Sequence, residues 1–331
     1  MRRGTVWRLV RSPFAAGSRT IAVALVLLLC AVLLPQVNLS RKTYSYIVVF
    51  DITQSMNVED YDLNGMPLSR LTFAREAVRR SLRELPCGSR VGWGAFAEYR
   101  TILLLAPVEV CANYNDLLAT LERIDGRMRW ANASEIRKGV YWAMRAAKEV
   151  GGKPDVLFLT DGQEAPPEIG PGLPMFDDLK RGEPHGWLVG VGGYTPRRIP
   201  RTDDDGRMVG YWRADEVVQL DDVVGDEAGS SPNTGNPGTG TQNTPGTSTV
   251  SSHEELSEVR EPHLRALAQD VGFDYMHLTS LESLGAVMQD ARFARRRRAP
   301  TDIGWIPALA ALVMLVVRFR PSVGWSSRNT G

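Results

Sequence analysis

Tyr44 to Ser55 reads YSYIVVFDITQS, an apolar run that stops at a carboxylate and passes into hydroxyls. Nothing in IVVF alternates between polar and apolar, as expected of a strand covered on both faces. Asp155 to Thr160 (DVLFLT) has the same character and also ends on a carboxylate, Asp161, followed by Gly162. Trp187 to Val191 (WLVGV) reads as a third such strand. Between them, Leu71 to Leu85 repeats apolar residues at helical spacing, with Leu71, Ala74, Val78, Leu82 and Leu85 on one face. Tyr114 to Ile124, Ser134 to Val150 and His263 to Val271 read as further helices, and Phe273 to Leu278 as a last short strand. Arg90 to Phe96 and Arg100 to Ala106 form two strands joined by a tight turn near Glu98. Strands alternating with helices predict an α/β fold: a mainly parallel central sheet flanked by helices, with one antiparallel edge strand.

In open α/β sheets, ligands bind beyond the carboxyl ends of the strands. Asp51, Thr53 and Ser55 sit at one such end and Asp161 at another; Ser134, at the start of a predicted helix, adds a third hydroxyl. Oxygen-only donors suit Mg²⁺, and also Ca²⁺ or Mn²⁺, rather than zinc or copper. Each piece alone has a plainer reading. D-x-T-x-S is a short pattern, Ser134 is of a type that caps helices, and Asp161-Gly162 is of a type that makes turns. Their conjunction at three neighbouring positions of one sheet points to a divalent-cation site.

This pattern resembles the metal-ion-dependent adhesion site of von Willebrand factor A domains, written D-x-S-x-S, then T, then D. Asp51, Thr53 and Ser55 match the first element, Ser134 stands at the Thr position in SEIRKGV, and Asp161 in LTDG matches the last. Both departures keep a hydroxyl. The resemblance covers about Tyr44 to Val287 without the inserts and implies a Rossmann-like sheet. It further implies direct ligation by the hydroxyls, carboxylates acting largely through water, and one metal position left for an Asp or Glu of a protein partner. More narrowly, DITQSMNVEDY, PCGSRVGWGAFAEYR and IDGRMRWANASEI are similar to the MxaC/MxaL-type membrane-anchored proteins of methylotroph methanol-oxidation clusters. That similarity implies maturation of a periplasmic methanol dehydrogenase by calcium insertion, or work with a MoxR-type AAA ATPase.

Two inserts interrupt the domain, expected over 44–290. Residues 198–212 carry Asp205-Gly206 between short extended runs and read as a β-hairpin. Residues 223–253, rich in Gly, Ser, Thr, Asn and Pro, have the composition of a disordered segment.

The ends point to a membrane. Ile21 to Leu34 is apolar and follows five arginines, so 1–19 reads as a basic cytoplasmic segment and 20–37 as an anchor; a cleaved signal peptide is the other reading. A second apolar stretch predicts a spanning helix at 300–317, with a short tail at 318–331. The first cluster exports the middle domain to the periplasmic side of a bacterial inner membrane, whereas Arg295 to Arg298 pull the other way. The first segment usually dominates. Cys87 and Cys111 fall at the same open end of the hairpin, where either a disulfide or two separate thiols fits.

A net charge of +1 gives no reason to expect nucleic-acid binding. The four histidines, at 185, 253, 263 and 277, all lie far from the metal motif in sequence; Glu59, Asp60 and Glu164 are close to it and could serve as bases, but read more simply as solvated loop carboxylates. A non-catalytic protein-binding module is therefore expected, with a structural membrane scaffold and a metal-dependent hydrolase as the other readings. Trp130, Arg129 and Glu164, close to the metal residues in sequence, are candidate partner contacts.

Overall fold

The computed structural model describes residues 13–34, 37–167, 174–219, 253–301 and 303–319. The elements run α1 (Pro13–Leu33), β1 (Val37–Thr43), β2 (Ser45–Asp51), β3 (Glu59–Leu63), β4 (Met66–Ser69), α2 (Arg70–Glu84), β5 (Arg90–Ala97) and β6 (Arg100–Glu109). Then come α3 (Tyr114–Leu121), α4 (Ile136–Glu149), β7 (Asp155–Thr160), β8 (Gly186–Gly190), β9 (Arg197–Arg198), β10 (Pro200–Thr202) and β11 (Met208–Tyr211). The chain closes with β12 (Leu256–Ser257), α5 (Glu261–Val271), β13 (Asp274–His277), α6 (Ser283–Met288), β14 (Arg295–Thr301) and α7 (Trp305–Phe319). It divides into two compact units, 42–296 and the paired ends 1–41 with 297–331.

The larger unit is built on a six-stranded sheet of order β13-β8-β7-β2-β5-β6. All neighbours are parallel except β5 and β6, so the reversed strand lies at one edge, as the sequence predicts. Strand β2 is central, and all seven of its residues are buried. Because side chains alternate along a strand, Tyr46, Val48 and Phe50 pack with α2 and α3, while Ile47 and Val49 pack with α4 and α5. The two layers explain why its centre, Ile47 to Phe50, has no polar residue. Gly139 lets α4 approach the sheet: a Cβ there would lie 2.2 Å from the Phe96 ring.

Several features depart from the sequence reading. The loop after Asp51 contains a β3–β4 hairpin turning at Asn64-Gly65, both at positive φ, a dipeptide suited to such a turn. The helix expected from Ser134 starts two residues later, at Ile136. Strand β14 and helix α6 were not anticipated. Within β14, Arg295 is engaged by Asp155 at 3.0 Å and by the Gly152 carbonyl.

The 198–212 insert is a hairpin, with β10 antiparallel to β11. Of the 223–253 segment only His253 is described, paired at 3.2 Å with Glu255; the rest lies outside the described residues. Cys87 and Cys111 form a disulfide across a Cα–Cα distance of 5.3 Å, at the hairpin end away from Asp51.

In the smaller unit, both apolar stretches are helical. Ala24 and Ala311 are buried, while Leu25, Leu29, Val32, Leu312, Val316 and Val317 are exposed. Of the segments expected to span a membrane, 20–37 is helical only as far as Leu33, at the end of α1, and 300–317 only from Trp305, the start of α7. No helix among the described residues is long and apolar enough to cross a membrane. At 1.5 Å per residue, the fifteen residues of α7 reach about 22 Å, short of a hydrocarbon core of about 30 Å.

Candidate metal centre

The end of β2 puts Asp51 at the floor of the site, fully buried. The chain then turns into a short 3₁₀ segment, Gln54–Asn57, which folds Thr53 and Ser55 back over that carboxylate. Asp51 Oδ1 accepts from the Thr53 amide at 2.9 Å and from Thr53 Oγ1 at 2.6 Å; Oδ2 accepts from Thr160 Oγ1 at 2.6 Å. Thr53 Oγ1 and Ser55 Oγ are 3.2 Å apart. Parallel pairing of β2 with β7 places Asp161 beside this group.

Ser134 arrives from the loop before α4, bridged to Glu98 on one side and Ala165 on the other. Its hydroxyl is buried and, among the described residues, has no hydrogen-bond partner. It does not cap α4: that helix begins after Glu135 with no side-chain cap of its own, and the Glu164 carboxylate receives the Ile136 amide at 3.0 Å. A buried hydroxyl without a partner costs stability unless something else binds it. Thr53, Ser55 and Ser134 together line a cavity of about 310 Å³. Asp51 and Asp161 are close enough that burial, and then the charge of Asp161, push the Asp51 carboxyl up to about 7, against the hydrogen bonds from Thr160 and Thr53. Three hydroxyls beside two buried carboxylates are a hard-oxygen donor set. They fit Mg²⁺, Ca²⁺ or Mn²⁺ chemically, and all five residues singled out in the sequence are brought together.

One central residue was missed by the sequence reading. Arg70, the first residue of α2, is wholly buried. Its Nη1 donates to Asp161 Oδ2 at 2.6 Å and to Ser257 Oγ at 2.6 Å; Nε and Nη2 hold Asp60 Oδ2 at 2.9 and 2.7 Å. Ser257 Oγ stands 3.0 Å from Asp161 Oδ2, and Oδ1 takes the Gln163 amide at 3.0 Å. Burial alone would lower the Arg70 pKa, but the two carboxylates more than offset it and the net shift is upward. Both oxygens of Asp161 are therefore occupied from the protein side. This favours action on a metal through water rather than direct ligation.

The candidate partner contacts stand differently. Trp130 is 40% exposed and precedes Asn132, which lines the cavity, by two residues. Arg129 is turned into the 198–212 hairpin, donating to Thr202 Oγ1, Thr202 O and Asn132 Oδ1. Glu164 holds the α4 amide and His263 Nε2, the latter at 3.1 Å. His263 is thus near the site in space though distant in sequence.

No family model and no curated protein matches the sequence. Among solved structures the chain is similar to BatB from Bacteroides thetaiotaomicron, at 18% identity and TM-score 0.46, over 74% of this chain and 96% of that one. It is also similar to an aerotolerance-related membrane protein from Bacteroides fragilis, at 14% and 0.44 over the same shares. For the VWA domain of SpRpn10 the values are 12% and 0.31, over 45% of this chain and 75% of that one. Their TM-scores stay below 0.5, so the assignment of this chain rests on its own sheet and site. That architecture is a mainly parallel sheet with a reversed edge strand and a hydroxyl–carboxylate cluster at the strand ends.

Proposed function

We propose that this chain is a membrane-tethered, metal-dependent protein-binding module whose bound divalent cation, Mg²⁺ first, captures an Asp or Glu of a partner. The observation that carries the reading is the Ser134 hydroxyl, buried and without a partner, in one cavity with Thr53 and Ser55. The cation supplies a Lewis-acidic position; Asp51 orients Thr53, and Arg70 with Ser257 fixes Asp161. The nearby carboxylates are already engaged, Asp60 by Arg70 and Glu164 by Ile136 and His263, which favours a binding role over hydrolysis. The Cys87–Cys111 bond supports an oxidising compartment and thus an exported, periplasmic domain. Within that role, sequence similarity to the MxaC/MxaL-type proteins favours maturation of a periplasmic methanol dehydrogenase. A scaffold working with a MoxR-type AAA ATPase is the alternative it leaves.

The test is affinity capture of the tagged full-length chain from detergent-solubilised native cells, with Mg²⁺, with EDTA, and with Asp51→Asn. A periplasmic dehydrogenase subunit retained only with metal and intact Asp51 supports the reading. Identical capture in all three samples overturns it in favour of a scaffold.

A further inference from the structure

The metal residues form only one wall of their cavity. The opposite side is made by Ile199, Trp212, Val217 and Val218, from the segment that leaves the sheet after β8. This segment is fastened to the metal loop itself. Gln54 Oε1 accepts from the Thr202 amide and from Trp212 Nε1, both at 3.0 Å, while Gln54 Nε2 donates to Asn132 at 2.8 Å. The residue between the two hydroxyl ligands therefore holds the apolar wall in place. Val218, 52% exposed, stands at the rim, and Ile199 is buried behind it.

From this we infer that the site reads two adjoining side chains of a protein partner: a carboxylate for the metal and a neighbouring aliphatic residue for the wall of Ile199, Trp212, Val217 and Val218. The inference rests on the metal-dependent reading above and adds to it a specificity. The cavity, about 310 Å³, holds an acidic side chain and one aliphatic neighbour. The acidic lining residues each have a partner within the protein. Glu164 is paired with His263, Glu216 with Arg201, and Glu254 with Gln163 and Arg260. A basic neighbour finds no free carboxylate among them, whereas an aliphatic one loses its water against the wall.

The test uses the full-length chain in detergent with Mg²⁺, its metal uptake measured in parallel by calorimetry. Four probes are compared: Ac-Gly-Asp-Leu-Gly-NH₂, Ac-Gly-Asp-Lys-Gly-NH₂, Ac-Gly-Asn-Leu-Gly-NH₂ and isovalerate. The Asp-Leu peptide is expected to bind about tenfold or more tightly than the Asp-Lys peptide; the Asn-Leu peptide and EDTA-treated protein should not bind. Val218→Asp, at an exposed rim position, should reverse the order, weakening the Asp-Leu peptide and strengthening the Asp-Lys peptide through the added carboxylate, with Mg²⁺ uptake measured on the same variant. Equal affinity for Asp-Leu and Asp-Lys, or no peptide binding despite metal uptake, overturns the inference. Isovalerate binding as tightly as the Asp-Leu peptide overturns it in favour of a small carboxylate. Absence of metal uptake instead sinks the underlying metal reading.

Discussion

Arg70 Nη1 stands 2.6 Å from Asp161 Oδ2, with both side chains withdrawn from solvent. One guanidinium joins the first turn of α2, the β3 strand through Asp60, and β12 through Ser257. It supplies a fixed positive charge beside a carboxylate that lies within electrostatic reach of Asp51. Replacing Arg70 by Met leaves Asp60 and Asp161 buried without their cation. The expected loss is about 3–5 kcal/mol of folding stability, measured by chemical denaturation in EDTA. Added Mg²⁺ should raise the Tm of this variant more than that of the wild type.

Ser134→Ala separates a structural role from ligation. In the metal-free protein the hydroxyl has no partner, so its removal should leave stability unchanged within about 1 kcal/mol or raise it slightly. Mg²⁺ affinity, read by calorimetry, should fall about tenfold or more. Loss of stability in EDTA with unchanged affinity contradicts the assignment.

Acid should compete with metal. The Asp51 carboxyl is raised to about 7 by burial and by Asp161, so it carries a proton through much of the mildly acidic range. A raised carboxyl favours the protonated fold, so its contribution to metal-free stability falls as pH rises from about 4 to about 7. Mg²⁺ must displace that proton, and its affinity should therefore increase with pH and level off above about 7. Calorimetry in buffers of different ionisation enthalpy should register the released proton.

The Cys87–Cys111 disulfide, spanning 24 residues, lies at the opposite end of β5 from the metal residues. Replacing both cysteines by Ser should cost about 3 kcal/mol in a denaturant series. Mg²⁺ affinity of the folded fraction should stay within about twofold.

Much of this fold is legible because the buried strands are uninterrupted. IVVF and VLFL have no polar residue to place in doubt which residues meet the core, and each strand runs on to the carboxylate it delivers. Arg70 is a different case. It lies in a helix that also carries Arg75, Arg79, Arg80 and Arg83, and no local signal marks it as the buried one. Its partners are 10, 91 and 187 residues away, so only the tertiary fold reveals it. The β3–β4 hairpin was readable from Asn64-Gly65, but the polar run around it pointed to a loop. The two-residue strands β9 and β12 exist by mutual pairing, beyond any periodicity.

That β9–β12 pair has a further consequence. The chain departs after β8 and returns before α5 at adjoining points, clasped by β9 against β12 and by the Val259 amide on the Gly193 carbonyl. The described residues between, which include β10 and β11, contribute no strand to the six-stranded sheet. Such a cassette is interchangeable: a descendant chain can swap the wall that discriminates among partners and keep the cation chemistry beneath it. Recognition and chemistry can then diverge at separate rates, and the return strand, which brings Ser257 to Asp161, is the part any exchange must preserve.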